Sequence, residues 1–124
     1  MKNRNLIITA SILAVLGVVL GAFAAHVLEK QLTFNELNSF QTGVRYQIYH
    51  ALALLILAVL PLKKTGLPAR FFVGGIVLFS GSIYMLTLDS LMGVNLSFLG
   101  WVTPVGGLAL ITAWLLLIRV AYKA

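Results

Sequence analysis

The sequence predicts an all-α integral membrane protein, an antiparallel bundle of four transmembrane helices with a short interfacial helix on its outer side. Three observations support this fold class. Of the 124 residues, 60% are hydrophobic and only 10% are charged, so the chain cannot supply the polar surface that a soluble domain needs. Its apolar residues form four runs of about 20 residues, each long enough to cross the hydrocarbon core as a helix. Basic residues gather at alternate ends of these runs.

The predicted spans cover residues 6–28, 44–62, 71–92 and 98–118 of a single domain formed by residues 1–124. A helix is expected for each run because every backbone polar group in a bilayer must find a partner within the protein. The first run also has features of a cleaved signal peptide, a basic start at Lys2 and Arg4 and an A-x-A pattern at Ala22 to Ala24. It is longer than a usual signal core, which favours a retained helix.

The basic residues predict the orientation of the bundle. One end carries only Lys30 and Arg45. The opposite end carries seven basic residues: Lys2, Arg4, Lys63, Lys64, Arg70, Arg119 and Lys123. Because cytoplasmic loops are enriched in lysine and arginine, both termini are expected in the cytoplasm. The other end would then face the periplasm or cell exterior of a bacterium, or the intermembrane space or lumen of an organelle.

Two of the connections between spans contain residues that are typical of the start of a helix. Thr33 and Glu36 have the spacing of a capping box, which predicts an interfacial helix at residues 34–41. Gly43 would then either bend the chain into the second span or lie inside one straight helix. Thr103 and Pro104 fit an N-cap and a first helical position, so the fourth helix would start at Pro104 or be kinked by it.

Small residues along the helices are expected to permit close packing, since lipid provides no hydrophobic drive between helices. One of these small faces could instead contact another subunit. The glycines assigned to helix packing are Gly17, Gly21, Gly74, Gly81, Gly106 and Gly107.

Polar and ionisable side chains collect toward the outer ends of the spans and form a candidate polar network or contact site. The favoured interpretation is that this group anchors the second helix and bonds it to its neighbours, with Arg45 paired to an outer carboxylate. Haem or metal ligation by His26 and His50, and a proton or solute path, are the alternatives. The candidate residues are His26, Arg45, Tyr46, Tyr49, His50, Ser82, Tyr84 and Asp89.

Four segments resemble the DUF423 family, the small UPF0382 membrane proteins of bacteria and the related transmembrane protein 256. They are GAFAAH at residues 21–26, FQTGVRYQIYHALALL at 40–55, FSGSIYMLTL at 79–88 and GWVTPVGGLALITAW at 100–114. Ala24 departs from the family pattern, in which a glycine is expected. The resemblance implies a short four-span inner-membrane protein and carries over no biochemical activity. Its signature positions include Gly43, Gln47 and Pro104 besides most residues of the polar group.

The sequence therefore predicts a structural or accessory membrane protein that acts through helix–helix association, as a homo-oligomer or within a larger membrane complex. A serine of the third span could be combined with His50 and Asp89 into a Ser-His-Asp set, but no local motif supports it. No nucleophile elbow, phosphate loop or metal-protease motif occurs, so no enzymatic activity, catalytic residue, metal site or cofactor is assigned. The basic residues form no continuous face, and binding to nucleic acid is not expected. A haem, quinone or lipid site between helices and a small oligomeric transporter are the alternative functions.

Overall fold

The structure is a computed structural model that describes residues 2–124, without the side chain of Lys2. It contains α1 (Lys2–His26), α2 (Phe34–Val59), α3 (Gly66–Leu88) and α4 (Val102–Tyr122). These four helices are long and apolar enough to cross a membrane. Short 3-10 turns at Leu28–Lys30 and Ser97–Trp101 precede α2 and α4. The predicted fold class is confirmed for this part of the chain.

The interfacial helix predicted at residues 34–41 is not a separate element. Thr33 and Glu36 form the capping box, with the Thr33 amide donating to Glu36 Oε1 and the Glu36 amide donating to Thr33 Oγ1, but the helix then continues without a break to Val59. Gly43 does not bend it. A Cβ on Gly43 would lie 2.8 Å from Tyr84 Cε1, so this glycine instead allows α3 to approach α2 closely.

The start of α4 also differs from the prediction. The helix begins at Val102, so Pro104 occupies its first turn, where the missing backbone donor costs nothing because the first amides of a helix have no intrahelical partner. Thr103 does not cap the helix. Its hydroxyl is hydrogen-bonded to Ser82 Oγ of α3, so the side chain joins two helices rather than ending one.

The helices pack mainly in chain order, α1 on α2, α2 on α3 and α3 on α4. One apolar core joins Ala10, Leu54, Phe72 and Leu110 from the four helices. Helix α1 is peripheral: only 11% of its apolar stretch is buried inside the bundle, against 44% for α2. A wide apolar face of α1 is therefore left for lipid or for another helix.

The glycines divide into two groups. Gly17 and Gly21 of α1 face Ile48 and Val44 of α2, and Gly106 lies against the backbone of α3 at Leu78 and Phe79. Gly107 makes an ordinary contact with the Phe79 ring. Gly74 and Gly81 have no atom within 4 Å of a Cβ placed on them, so the prediction that they pack helices within the chain is wrong. Gly75, next to Gly74, is the α3 glycine that contacts α4.

Candidate functional site

Gln47 is the centre of a hydrogen-bonded network that joins three helices. Its side chain is 3% exposed. Nε2 donates to the Leu13 carbonyl of α1 at 2.8 Å, and Oε1 accepts from the Tyr84 hydroxyl of α3 at 2.6 Å. Ser80 of α3 adds a further bond by donating to the Gly43 carbonyl at 2.7 Å. Polar side chains here fasten neighbouring helices, as expected where no water can compete.

His50 is the centre of a second cluster, on the side of α2 that faces α3 and α4. The ring is 6% exposed and lies 5.8 Å from the Phe72 ring and 5.9 Å from the Trp114 ring, centroid to centroid. The Trp114 indole donates to His50 Nε2 at 3.1 Å, and His50 Nδ1 lies 2.7 Å from the Tyr46 carbonyl oxygen.

These two partners determine the protonation of His50. An indole N–H can only donate and a carbonyl oxygen can only accept. Nε2 must therefore be the unprotonated nitrogen, and Nδ1 must carry the hydrogen. His50 is held as the neutral Nδ1-H tautomer, with both ring nitrogens occupied.

His50 lies deeper than the sequence indicated. It is 16 residues, or ~24 Å, from the start of α2 at Phe34 and nine residues, or ~14 Å, from its end at Val59. Its partners Phe72 and Trp114 lie well inside α3 and α4. This cluster therefore lies in the half of the bundle nearer the 60–65 connection rather than in its outer part.

His26 and His50 do not face each other. Gly17 lies against Ile48 and Gly21 against Val44, so the antiparallel register of α1 and α2 places His26 about 11 residues, or ~16 Å, from His50 along the bundle axis. A bis-histidine haem site between these helices does not fit this register, and neither nitrogen of His50 is free for a metal. No group of three or more metal-ligating side chains occurs in the described part of the chain.

Arg45 and Asp89 do not pair. Arg45 is exposed and donates from Nη2 to Thr42 Oγ1, one turn earlier on α2, at 3.0 Å. Asp89 accepts from the Leu96 amide at 3.2 Å and so closes the connection before α4. The predicted ion pair of Arg45 with an outer carboxylate is wrong, because each group has a nearer partner on its own segment.

The residues of the candidate polar network or contact site thus belong to several separate clusters. Tyr84 belongs to the Gln47 network, and Ser82 bonds Thr103 on α4. Tyr46 is 42% exposed and stacks near His50, while Tyr49 is 56% exposed, and His26 is exposed at the end of α1. Sequence reasoning missed Trp114, although an indole inside an apolar helix needs an acceptor and so signals a polar partner.

No polar path continues from His50 toward the end of α2. The buried residues beyond it on this helix are Ala51, Leu54, Leu57 and Ala58. In residues 3–124 no buried side-chain nitrogen or oxygen lacks a hydrogen-bond partner. The buried polar side chains of these residues are therefore all hydrogen-bonded, most of them to a neighbouring helix, while Thr87 donates to the Ile83 and Tyr84 carbonyls of its own helix.

Comparison with known proteins identifies the family. The family model described as "Protein of unknown function (DUF423)" matches residues 20–107, well over half of the chain. The chain belongs to the DUF423 family. The match includes Gln47, His50 and Tyr84 and ends before Trp114. No solved structure matches the chain.

Several bacterial relatives align with nearly the whole DUF423 chain. The UPF0382 membrane protein YwdK of Bacillus subtilis is 42% identical over 94% of this chain and 95% of its own length. The UPF0382 inner membrane protein YgdD of Escherichia coli K12 is 39% identical over 95% of this chain and 89% of its own. A UPF0382 membrane protein of Haemophilus influenzae is 35% identical. This DUF423 chain is accordingly an integral membrane protein.

Proposed function

We propose that this protein is a non-enzymatic accessory component of the bacterial plasma membrane that acts by helix–helix association, with itself or within a larger membrane complex. The interior supports a non-catalytic role, because its polar side chains bond helix to helix through Gln47, His50 and Ser82. A site for catalysis would instead keep donors or acceptors available to a substrate.

The observation that carries the proposal is the outward face of α3. Gly74 and Gly81 are one heptad apart on this helix, and a Cβ on either would meet open space. The large side chains around them, Val77, Leu78 and Met85, are exposed. Two glycines between larger side chains leave a shallow groove on the lipid-facing surface. Small residues of this kind let a second helix approach closely, which is how helices associate in a bilayer.

Filling this groove is the test of the association proposal. The double substitution Gly74→Leu/Gly81→Leu should release the protein from its homo-oligomer or complex while the four-helix fold remains, because neither glycine is packed inside the chain. The matched control is Ala22→Leu/Ala25→Leu on the exposed face of α1, which should change nothing. The measurement is native mass spectrometry after gentle purification at native expression level.

Two results would contradict the association proposal. One is a wild-type protein that emerges from this purification as a monomer without a partner. The other is an equal loss of association in the α1 control, which would mean that added bulk anywhere on the lipid-facing surface is enough. Circular dichroism of each variant separates release of a partner from unfolding.

The proposal includes an orientation with both termini in the cytoplasm. The helix order places Arg4, the 60–65 connection and the end of α4 at one end of the bundle, and the connections after α1 and α3 at the other. Seven of the nine basic residues belong to the first end, counting Lys2, whose side chain lies outside the described residues. A bias of this kind is typical of the cytoplasmic side.

The orientation can be tested with single cysteines, since the chain has none of its own. In intact cells, a membrane-impermeant maleimide should label Gln31→Cys, in the exposed connection after α1, and should not label Lys123→Cys at the end of α4. Both should react once the membrane is permeabilised. Labelling of Lys123→Cys alone in intact cells would reverse the orientation.

A further inference from the structure

A cavity lies at the end of the bundle where α2 ends, α3 begins and α4 ends. Its volume is about 700 Å³, within the range of small-molecule sites in proteins. It is formed between the connection from α2 to α3 and the last turns of α4. Its apolar walls include Leu67, Leu116 and Val120.

The cavity combines positive charge with apolar walls. Four basic side chains line it, Lys63 and Lys64 from the connection and Arg119 and Lys123 from α4. No acidic side chain is among the lining residues, because Glu29, Glu36 and Asp89 all belong to the opposite end of the bundle. Its positive charge is therefore not neutralised by a neighbouring carboxylate side chain.

The backbone conformation of Lys64, which lines the cavity, is a second observation that favours a binding site there. Its φ of 61° is the left-handed conformation, and in the described part of the chain no other non-glycine residue has a positive φ. A lysine in this conformation is less stable than a glycine would be, because its Cβ crowds the following carbonyl oxygen. Strained residues of this kind gather at binding sites, where the side chain has a use that the backbone alone does not explain.

We infer that this cavity binds the phosphate headgroup of an anionic phospholipid. The four cations match a phosphate anion, and the apolar walls formed by Leu67, Leu116 and Val120 match the start of the acyl chains. The exposed Leu115 and Ile118 continue this apolar surface along α4, in the direction that the acyl chains would take into the bilayer. Basic pockets at the ends of transmembrane helices recognise acidic headgroups by this combination.

Titration with defined lipids tests the inference. The purified chain in neutral detergent is titrated with phosphatidylglycerol, with phosphatidylcholine of the same acyl chains and, separately, with inorganic phosphate, and bound molecules are counted by native mass spectrometry. One phosphatidylglycerol should be retained per chain, at least tenfold more tightly than phosphatidylcholine. Each basic side chain near an anionic headgroup strengthens binding about fivefold. Lys64→Gln/Arg119→Gln removes two of them and should weaken the binding of phosphatidylglycerol about 30-fold.

The matched control removes the same charge from the same end of the bundle. Arg4 and Arg70 are exposed and do not line the cavity, so Arg4→Gln/Arg70→Gln should leave the binding of phosphatidylglycerol unchanged. Lys64→Arg/Arg119→Lys keeps both charges and should retain binding, which separates the role of charge from any loss of folding. Lys64→Gly, which removes the strain together with the charge, should fold at least as stably and bind more weakly.

Three outcomes would overturn the inference. The first is an equal loss in Arg4→Gln/Arg70→Gln, which would show a diffuse attraction of the whole basic end. The second is equal retention of phosphatidylcholine and phosphatidylglycerol. The third is displacement of the lipid by millimolar inorganic phosphate, which would make the cavity a site for the free anion. None of these depends on whether the groove of Gly74 and Gly81 on α3 mediates association.

Discussion

Gly106→Ala should destabilise the bundle more than any other single addition of a methyl group to a helix glycine of this chain. A Cβ on Gly106 would overlap the backbone nitrogen of Phe79 and would lie 2.7 Å from the backbone carbon of Leu78. Backbone atoms in the middle of α3 cannot rotate away as a side chain can, so α3 and α4 must separate. We expect a loss of about 3 kcal/mol in the free energy of unfolding, the upper part of the range for overpacking.

The neighbouring glycine is the control for this experiment. A Cβ on Gly107 would lie 3.6 Å from Phe79 Cδ1, an ordinary contact, so Gly107→Ala should be neutral or stabilise the helix by up to about 1 kcal/mol. Gly75→Ala should fall between the two, because it meets the movable side chain of Leu110 at 2.6 Å and the Leu110 amide at 3.0 Å. Detergent-titrated unfolding followed by circular dichroism measures all three. Equal stability of the Gly106 and Gly107 variants would contradict the close approach of α3 and α4.

The four helices could be predicted from sequence because the requirement that creates them is local. In a bilayer, a run of apolar residues must form hydrogen bonds among its own backbone groups and is therefore a helix. The length of the run and the residues at its ends then predict where the helix begins and ends. The capping box at Thr33 and Glu36 was readable for the same reason. The course of the chain after it was not readable, because a glycine such as Gly43 is compatible with a bend and with a straight helix. The structure shows one continuous helix, in which Gly43 packs against Tyr84, a residue far away in sequence.

The polar site was less predictable because side-chain partners depend on the register between helices. Depth alone suggested that His26, Arg45, His50 and Asp89 would meet. The register of α1 on α2 separates the two histidines, while Arg45 and Asp89 bond to their own segments. A hydrogen-bonding partner on a neighbouring helix can lie 64 residues away in sequence, as Trp114 does from His50. No local pattern encodes that pairing.

The contacts of the packing glycines were also only partly predictable from the sequence. A glycine pattern predicts that some face of a helix approaches another backbone, and Gly17, Gly21 and Gly106 do so. It does not say whether the approaching helix belongs to the same chain. Gly74 and Gly81 have the small-residue spacing of a packed face and yet face outward. Gly75, the next residue after Gly74, points in a different direction around the helix, and it is Gly75 that contacts α4.

Gln47→Leu should loosen α1 from the rest of the bundle. The substitution keeps the volume and apolar character of the stem but removes the donor to the Leu13 carbonyl and the acceptor for the Tyr84 hydroxyl. Interhelical hydrogen bonds in membrane proteins contribute about 0.6 kcal/mol on average and up to about 1.7 kcal/mol. Two bonds lost together predict a destabilisation of about 1–3 kcal/mol, with faster hydrogen exchange in α1, since that helix packs mainly on α2.

A double-mutant cycle with Tyr84→Phe isolates the shared bond. Tyr84→Phe removes the hydroxyl but leaves the ring against Phe40, 4.9 Å away between centroids, so it should cost less than Gln47→Leu. The double variant should cost less than the sum of the two, because the second substitution removes a group that the first has already left without its partner. Ser82→Ala, which breaks the bond to Thr103 between α3 and α4, should instead be additive with Gln47→Leu. Additivity of Gln47→Leu with Tyr84→Phe would mean that Gln47 does not bond Tyr84 of α3, and the effect of Gln47→Leu would then come from the bond to the Leu13 carbonyl of α1.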